Sequence, residues 1–132
     1  MLLVTIAAVV LLVLAVDNVY EFLSVYKVRA KKDKASMVEP HSRLLETAEL
    51  IGFLLVGILM YISALNIIAV AIVIVIGLFH LGGAIMSKQS LLKMSMETLR
   101  RLNTAIMGIT LTEVIVASSI VVWMANNGWI GL

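Results

Sequence analysis

Apolar residues are concentrated in long runs along this chain, and polar residues are gathered between the runs. A membrane-spanning helix needs about 20 mostly apolar residues, and four stretches meet this length, at about 2–26, 44–65, 67–86 and 104–125. No stretch has a clean polar face at helical spacing, as expected for helices surrounded by lipid, and none shows the strict alternation of barrel strands. The pattern predicts an all-α fold, a single membrane four-helix bundle over residues 1–132.

The composition agrees with a membrane protein. The 132 residues are 62% hydrophobic and 14% charged, whereas soluble domains have about 45–50% apolar and about 25% charged residues. This excludes intrinsic disorder, and the absence of cysteine excludes disulfides, thiolate zinc sites and cysteine nucleophiles. The first apolar run lacks a basic flank before it and is too long for a cleaved signal peptide, so we interpret it as a retained span.

The basic residues indicate an orientation. All ten Lys and Arg residues fall within 27–43 and 88–101, between the first and second and the third and fourth spans. Because basic connections are typical of the cytoplasmic side, the sequence predicts a multi-pass membrane protein with both basic loops in the cytoplasm and both termini outside. Trp123 and Trp129 then fit the outer interfacial belt. The expected partners are the lipid bilayer and other membrane chains, and not nucleic acid.

Ionisable residues within the predicted spans are the main candidates for chemistry, because such groups are costly in lipid and usually face a bundle interior. They are Asp17, Glu21, Glu46, Glu49, His80 and Glu113. The first two have i, i+4 spacing and the next two have i, i+3 spacing, so each pair shares one helical face. The set could converge in the cytoplasmic half of the bundle.

Two interpretations of these groups remain open. In the first, they are protonated, or paired with neighbouring cations and hydroxyls, and only fix helix packing. In the second, they form a metal site or a proton path, and oxygen ligands with one imidazole suit Mn, Fe or Zn better than Cu(I). The metal ligands or proton relays would be Asp17, Glu21, Glu49, His80 and Glu113.

A second candidate site lies at the basic ends of the spans. Its members are Lys27, Arg29, Arg43, Arg100 and Arg101. Arginine binds carboxylates through two parallel hydrogen bonds, and a positive field stabilises a thiolate, so these residues could hold an anionic cosubstrate. Basic residues in such positions also commonly meet anionic lipid headgroups.

Several segments resemble one known family in their order along the chain. The first span ends in a basic run at 25–32, the second opens with His41-Ser42-Arg43-Leu44-Leu45-Glu46, and the fourth contains Met107-Gly108-Ile109-Thr110-Leu111-Thr112. This layout resembles the MAPEG family, the membrane-associated proteins in eicosanoid and glutathione metabolism. Members often carry a His-x-Asn-x-x-Glu pattern at the start of helix 2; here His41 and Glu46 keep the spacing and Arg43 replaces the Asn. The stretch 82–87 lacks the Arg and His that the family commonly has there.

The resemblance implies a trimer of four-helix chains with glutathione as cofactor, acting as a transferase or peroxidase on lipophilic substrates, or else a degenerate member of the family. The catalytic residues it implies are Arg43 and Arg101, which would promote the glutathione thiolate. The residues implied to bind glutathione are Arg29, His41, Glu46 and Arg100. Whether the chain is an enzyme is left open.

A second resemblance favours a different class of function. Asp17-Asn18 within an apolar helix is similar to the Asp-Asn signature of tellurium-resistance-type metal exporters. The alternative function is therefore a non-enzymatic membrane component, either a divalent-metal or proton transporter or an accessory subunit of a larger complex. Because so short a bundle has little interior to shelter ionisable groups, we expect a homo-oligomer or a complex with partner chains.

Overall fold

The computed structural model describes residues 2–130, and that part of the chain is helical, without a strand. Its helices are α1 (Leu2–Val28), α2 (Lys34–Val38), α3 (Arg43–Ile62), α4 (Ile67–Leu78), α5 (Leu81–Ile85), α6 (Lys88–Leu92) and α7 (Met96–Asn126). Four segments are long and apolar enough to cross a membrane: α1, α3 with the short α2 before it, α4 continued by α5, and α7. This confirms the predicted all-α fold with four such helices.

Two helix boundaries differ from those expected from hydropathy. α3 ends at Ile62, before the predicted end near 65, because Ala64 adopts a left-handed conformation with a φ of 58° that breaks the helix. α7 begins at Met96 rather than near 104, because the Ser95 hydroxyl accepts a hydrogen bond from the N–H of Thr98 and caps it. Hydropathy marks the lipid-facing part of a helix, whereas local backbone and cap geometry fix its ends.

Side-chain caps also shape the first basic connection. Ser42 caps α3, and its hydroxyl accepts a hydrogen bond from the N–H of Leu45 at 3.2 Å. Asp33 caps α2 by accepting hydrogen bonds from the hydroxyl and the N–H of Ser36. These two bonds favour the ionised carboxylate and hold the pKa of Asp33 below its usual value. The caps determine where the chain turns back towards the bundle.

The third span is interrupted at His80. Between α4 and α5, the N–H groups of Phe79 and His80 bond to carbonyls three residues back, at 3.1 and 3.0 Å. Such tighter winding is typical of a 3₁₀ turn, which within a helix often marks a functional position. The interruption therefore coincides with the imidazole that the sequence analysis singles out.

The apolar core occupies the half of the bundle that contains the chain ends and the α3–α4 turn. Its buried members include Val4, Leu11, Phe53, Val56, Met60, Val73, Ile120 and Met124. α1 packs along α7, and α3 packs against both α1 and α4. A smaller apolar group lies among the basic connections at the opposite end: Met37, Val38, Leu91 and Leu99. The polar cluster described below lies between these two apolar groups.

Two glycines allow the second and third spans to approach each other closely. A Cβ atom on Gly77 would lie 2.6 Å from Cβ of Phe53, and a Cβ atom on Gly57 would lie 2.6 Å from Cγ1 of Ile74. Small residues at such crossings are common between membrane helices, because they let backbones come together. The contact at Gly77 brings α4 against α3 just before the chain reaches His80.

Candidate functional site

The ionisable residues of all four spans meet in one buried group, which we call the carboxyl–imidazole cluster. Its members are Asp17 and Glu21 of α1, Glu46 and Glu49 of α3, His80 between α4 and α5, and Glu113 of α7. Glu21, Glu49, His80 and Glu113 are buried, and Asp17 and Glu46 are partly buried. The structure thus brings together every residue of the metal set expected from the sequence, and Glu46 in addition.

His80 lies at the centre of the cluster. Its Nδ1 atom is 2.7 Å from Oε2 of Glu46 and 3.2 Å from Oε2 of Glu49. Its Nε2 atom is 3.0 Å from the carboxylate of Glu113. A neutral imidazole donates from only one of its nitrogens, so a neutral ring requires a proton on at least one of these carboxyl groups.

Packing fixes the plane of the His80 ring. The ring of Phe53 stacks on it, with centroids 5.6 Å apart and planes 17° apart. Phe53 itself lies against Gly77, where a larger residue would collide with it. The orientation of the imidazole therefore depends on the close crossing of α3 and α4.

The carboxyl groups of the cluster are also close to one another. Glu21 adjoins Glu46, and Asp17 adjoins Glu49. Two carboxyl groups can form a hydrogen bond only by sharing a proton, because an ionised carboxylate is an acceptor only. Without a shared proton or a cation between them, each pair is repulsive.

Several buried oxygens of the cluster receive no hydrogen bond from the described residues. These are both carboxylate oxygens of Glu49, Oε1 of Glu113 and Oε2 of Glu21. His80 approaches Glu49 at ion-pair distance, but its Nδ1–H bond is directed to Glu46. Buried polar groups in native proteins are almost always paired, so these oxygens require a proton, a water molecule or a cation as their partner.

Glu46, Glu49 and His80 are placed as metal ligands would be. Each offers one ligand atom, and these atoms all lie within 4.8 Å of one another. Ligand bonds to Zn²⁺ of about 2.0–2.2 Å place two donors on one ion at most about 4.4 Å apart. Small side-chain movements are therefore enough for the three residues to coordinate a single ion.

A cavity of about 170 Å³ borders the cluster on the side of the basic connections. Glu21, Glu46 and His80 form its polar wall, and apolar side chains of α6, α7 and the residues flanking α5 form most of the rest. Glu46 also lies against the backbone of α5, since a Cβ atom on Gly83 would be 2.7 Å from its Cγ atom. The cluster is thus open to a cavity on one side and packed on the others.

The arginines expected to bind an anionic cosubstrate lie outside this cavity. Arg43 donates from Nε to the carbonyl of Ala84 at 3.3 Å, and Arg29 lies 4.5 Å above the ring of Tyr26. Arg101 forms an exposed ion pair with Glu97 at 2.7 Å. Arg100 is also exposed.

The two other residues of the glutathione set do line the cavity, namely His41 and Glu46. His41 donates from Nε2 to the carbonyl of Met86 at 2.8 Å, beyond the end of α5. This bond ties the start of α3 to the end of the third span. The structure therefore places the two residues that keep the MAPEG-like spacing in the wall of the cavity, which the arginines do not line.

Two residues that shape the site are not predictable from the sequence. Phe53 reads as one more apolar residue in an apolar helix, and no pattern marks it as the neighbour of His80. Gly83 belongs to a glycine pair that indicates close helix approach, but its partner, the Glu46 side chain, is visible only in the fold. Asn18, which the sequence analysis names together with Asp17, is buried, with its amide N–H bonded to the carbonyl of Leu14 and its oxygen unpaired among the described residues.

Comparison of the chain with protein-family models, with curated proteins and with solved structures finds no match.

Proposed function

We propose that this protein is a multi-pass membrane protein that binds a divalent transition-metal ion in the carboxyl–imidazole cluster, with Glu46, Glu49 and His80 as ligands. One observation carries the proposal: three potential ligand atoms lie within 4.8 Å of one another, and both oxygens of the deeply buried Glu49 receive no hydrogen bond. A bound cation satisfies these oxygens directly.

The charge of the cluster supports a cation. Five carboxyl groups surround one imidazole, and no lysine or arginine of the described chain forms an ion pair with any of them. Buried charges without partners are strongly destabilising, and intramembrane ionisable groups usually serve an ion or proton pathway. A divalent ion offsets two of the negative charges, and shared protons offset the remainder.

The ligand types narrow the choice of ion. Mg²⁺ and Ca²⁺ prefer all-oxygen sites, and Cu(I) prefers sulfur ligands. Two carboxylates with one imidazole suit Mn²⁺, Fe²⁺ or Zn²⁺. Glu113 bonds the ring nitrogen opposite to the one that faces Glu46 and Glu49, so it orients the imidazole as second carboxylates commonly do for metal-bound histidines.

The position of the cluster supports access from the end with the basic connections. The cavity beside it is lined by His41, Met86 and Leu91 from that end. The other half of the bundle has a buried apolar core with Val56, Val73 and Met124 among its members. With the basic connections in the cytoplasm, as the positive-inside rule favours, the ion reaches the cluster from the cytoplasm.

Metal titration of the purified protein in detergent tests this function. We expect calorimetry with Zn²⁺, and absorption titration with Co²⁺ as its coloured substitute, to give saturable binding of one ion per chain. Glu49→Gln keeps the shape of the side chain but removes its charge, and we expect it to weaken binding by about tenfold or more.

Glu97→Gln is the matched control, because Glu97 is exposed and pairs only with Arg101 among the described residues. This variant should bind metal as the wild type does. Absence of saturable metal binding, or equal affinity in wild type and Glu49→Gln, would overturn the proposed function.

Glutathione binding is the second candidate function, favoured by the presence of His41 and Glu46 in the wall of the cavity. Calorimetric titration with glutathione separates the two candidate functions. Saturable glutathione binding that is lost in Arg43→Ala supports the MAPEG-like function. The metal function predicts no glutathione binding, because the carboxyl groups of Glu21 and Glu46 repel an anion.

A further inference from the structure

The candidate ligands differ in what surrounds them. Glu46 and His80 both line the cavity of about 170 Å³, whereas Glu49 does not and lies deeper in the bundle. An ion held by these three side chains is therefore enclosed by protein on the Glu49 side and faces the cavity on the other. Structural metal sites are closed by four protein ligands, whereas sites that bind or transform a substrate keep a position open.

We propose that the bound metal has an open coordination position facing this cavity, and that the cavity holds an uncharged, mainly apolar molecule that donates one oxygen or nitrogen atom to the ion. The inference rests on the proposed metal function and adds a ligand to the same site. The protein is then a membrane protein that binds a lipophilic ligand at a metal, rather than one that only stores an ion.

The size and lining of the cavity determine the class of ligand. A cavity of about 150 Å³ lined by apolar side chains is large enough for a benzene molecule, so this one accommodates a single ring or a short branched chain. Phe79, Leu102, Ile106 and Ile109 supply apolar walls. The carboxyl group of Glu21 in the same wall disfavours an anion.

The surroundings of the cavity indicate access from the lipid. Phe79 and Gly82 are exposed on the outside of the third span, and both line the cavity. The opposite wall is formed by Ile106 and Ile109 of α7, a helix that α5 barely contacts. An apolar molecule dissolved in the membrane can therefore reach the cavity between the third and fourth spans.

Two glycines provide a matched pair of variants. A Cβ atom would meet no atom within 4 Å at either Gly82 or Gly108, so a side chain can begin at both positions without a collision. Gly82 lines the cavity, and Gly108 does not. Gly82→Leu therefore reduces the space beside the metal, whereas Gly108→Leu adds the same side chain elsewhere on an exposed helix surface.

The experiment uses the full-length protein loaded with Co²⁺, whose visible absorption reports its ligands, and pyridine as a neutral probe the size of benzene. We expect a saturable spectral change with the wild type and with Gly108→Leu, with the cobalt content unchanged. We expect Gly82→Leu to bind Co²⁺ normally and to bind pyridine about tenfold more weakly or not at all. If Gly82→Leu does not load with cobalt, Ile106→Phe fills the cavity from the opposite wall and takes its place.

The outcomes separate this inference from the function on which it rests. If the wild type binds Co²⁺ but its spectrum does not respond to pyridine, or if the cavity-filling variant responds as the wild type does, the open coordination position is wrong and the metal site stands. If the wild type does not bind Co²⁺, the metal function itself fails. Removal of cobalt by pyridine, detected by metal analysis after gel filtration, also counts against the inference.

Discussion

Glu46 connects the cluster, the cavity and the third span. Its Oε2 atom is 2.7 Å from Nδ1 of His80, its carboxyl group adjoins that of Glu21, and its side chain lies against the backbone at Gly83. A Cβ atom at that glycine would be 2.7 Å from Cγ and 2.9 Å from Cδ of Glu46. One added methyl group is therefore enough to displace this carboxylate.

We predict that Gly83→Ala weakens metal binding by displacing the Glu46 carboxylate. The colliding atoms belong to a flexible side chain, so Glu46 moves and the helix does not, and this overpacking lowers the free energy of unfolding by about 1–3 kcal/mol. We expect Co²⁺ affinity to fall by about tenfold, measured by absorption titration. Gly108→Ala, which adds its methyl group in open space, is the control, and equal affinity in both variants would show that Glu46 is not a ligand.

The crossing of α3 and α4 is the element that positions the imidazole. A Cβ atom on Gly77 would lie 2.6 Å from Cβ of Phe53, so there is no room for a side chain at this position. The ring of Phe53 in turn stacks on that of His80, with centroids 5.6 Å apart. The 3₁₀ turn that follows places His80 where α4 gives way to α5. Helix packing and ring orientation are thus coupled at this crossing.

We predict that Gly77→Ala both destabilises the protein and disturbs the site. The new Cβ atom meets the Cβ atom of Phe53, which cannot move without its backbone, so overpacking costs about 1–3 kcal/mol. Thermal unfolding in detergent measures this loss. Gly52→Ala is the comparison, because its Cβ atom meets only the side-chain end of Leu14, at 3.1 Å; an equally large loss there would argue against a special role for the α3–α4 crossing.

At the scale of the whole molecule, the bundle has two unlike halves. The buried apolar core lies towards the chain ends, whereas the cluster and its cavity lie towards the basic connections. Basic residues resist translocation, so we predict that the end of the bundle with the cluster faces the cytoplasm. The orientation of the chain therefore decides from which compartment the metal ion arrives.

Cysteine labelling tests that orientation, and the cysteine-free chain gives no background. Lys31→Cys and Asn127→Cys each place a thiol at an exposed position on opposite ends of the bundle. In intact cells we expect a membrane-impermeant maleimide to label Asn127→Cys, and to label Lys31→Cys only after permeabilisation. The reverse labelling pattern would place both the cluster and its supply of metal on the outer side of the membrane.

The local features of the chain were predictable because they depend on neighbouring residues. Run length and hydropathy predict four apolar helices, and Ser42 is recognisable as a cap from its position before α3. The candidate residues were predictable as well, since a carboxyl group or imidazole in an apolar run is conspicuous by its cost. The apolar pattern does not predict the interruption before α5. Lipid solvates Phe79 and its neighbours equally well whether the backbone is an α-helix or a 3₁₀ turn.

The amino-acid sequence by itself determined the helical class, the number of apolar spans and the identity of the buried ionisable groups, because these follow from the energy of placing each side chain in lipid or water. The tertiary structure alone decided that the groups converge on His80 and that a cavity borders them. It also separated Arg43 and Arg101 from that cavity. The reason is helix rotation: a helix that is apolar on all sides can present any face to its neighbours, and only close crossings such as that at Gly77 select one.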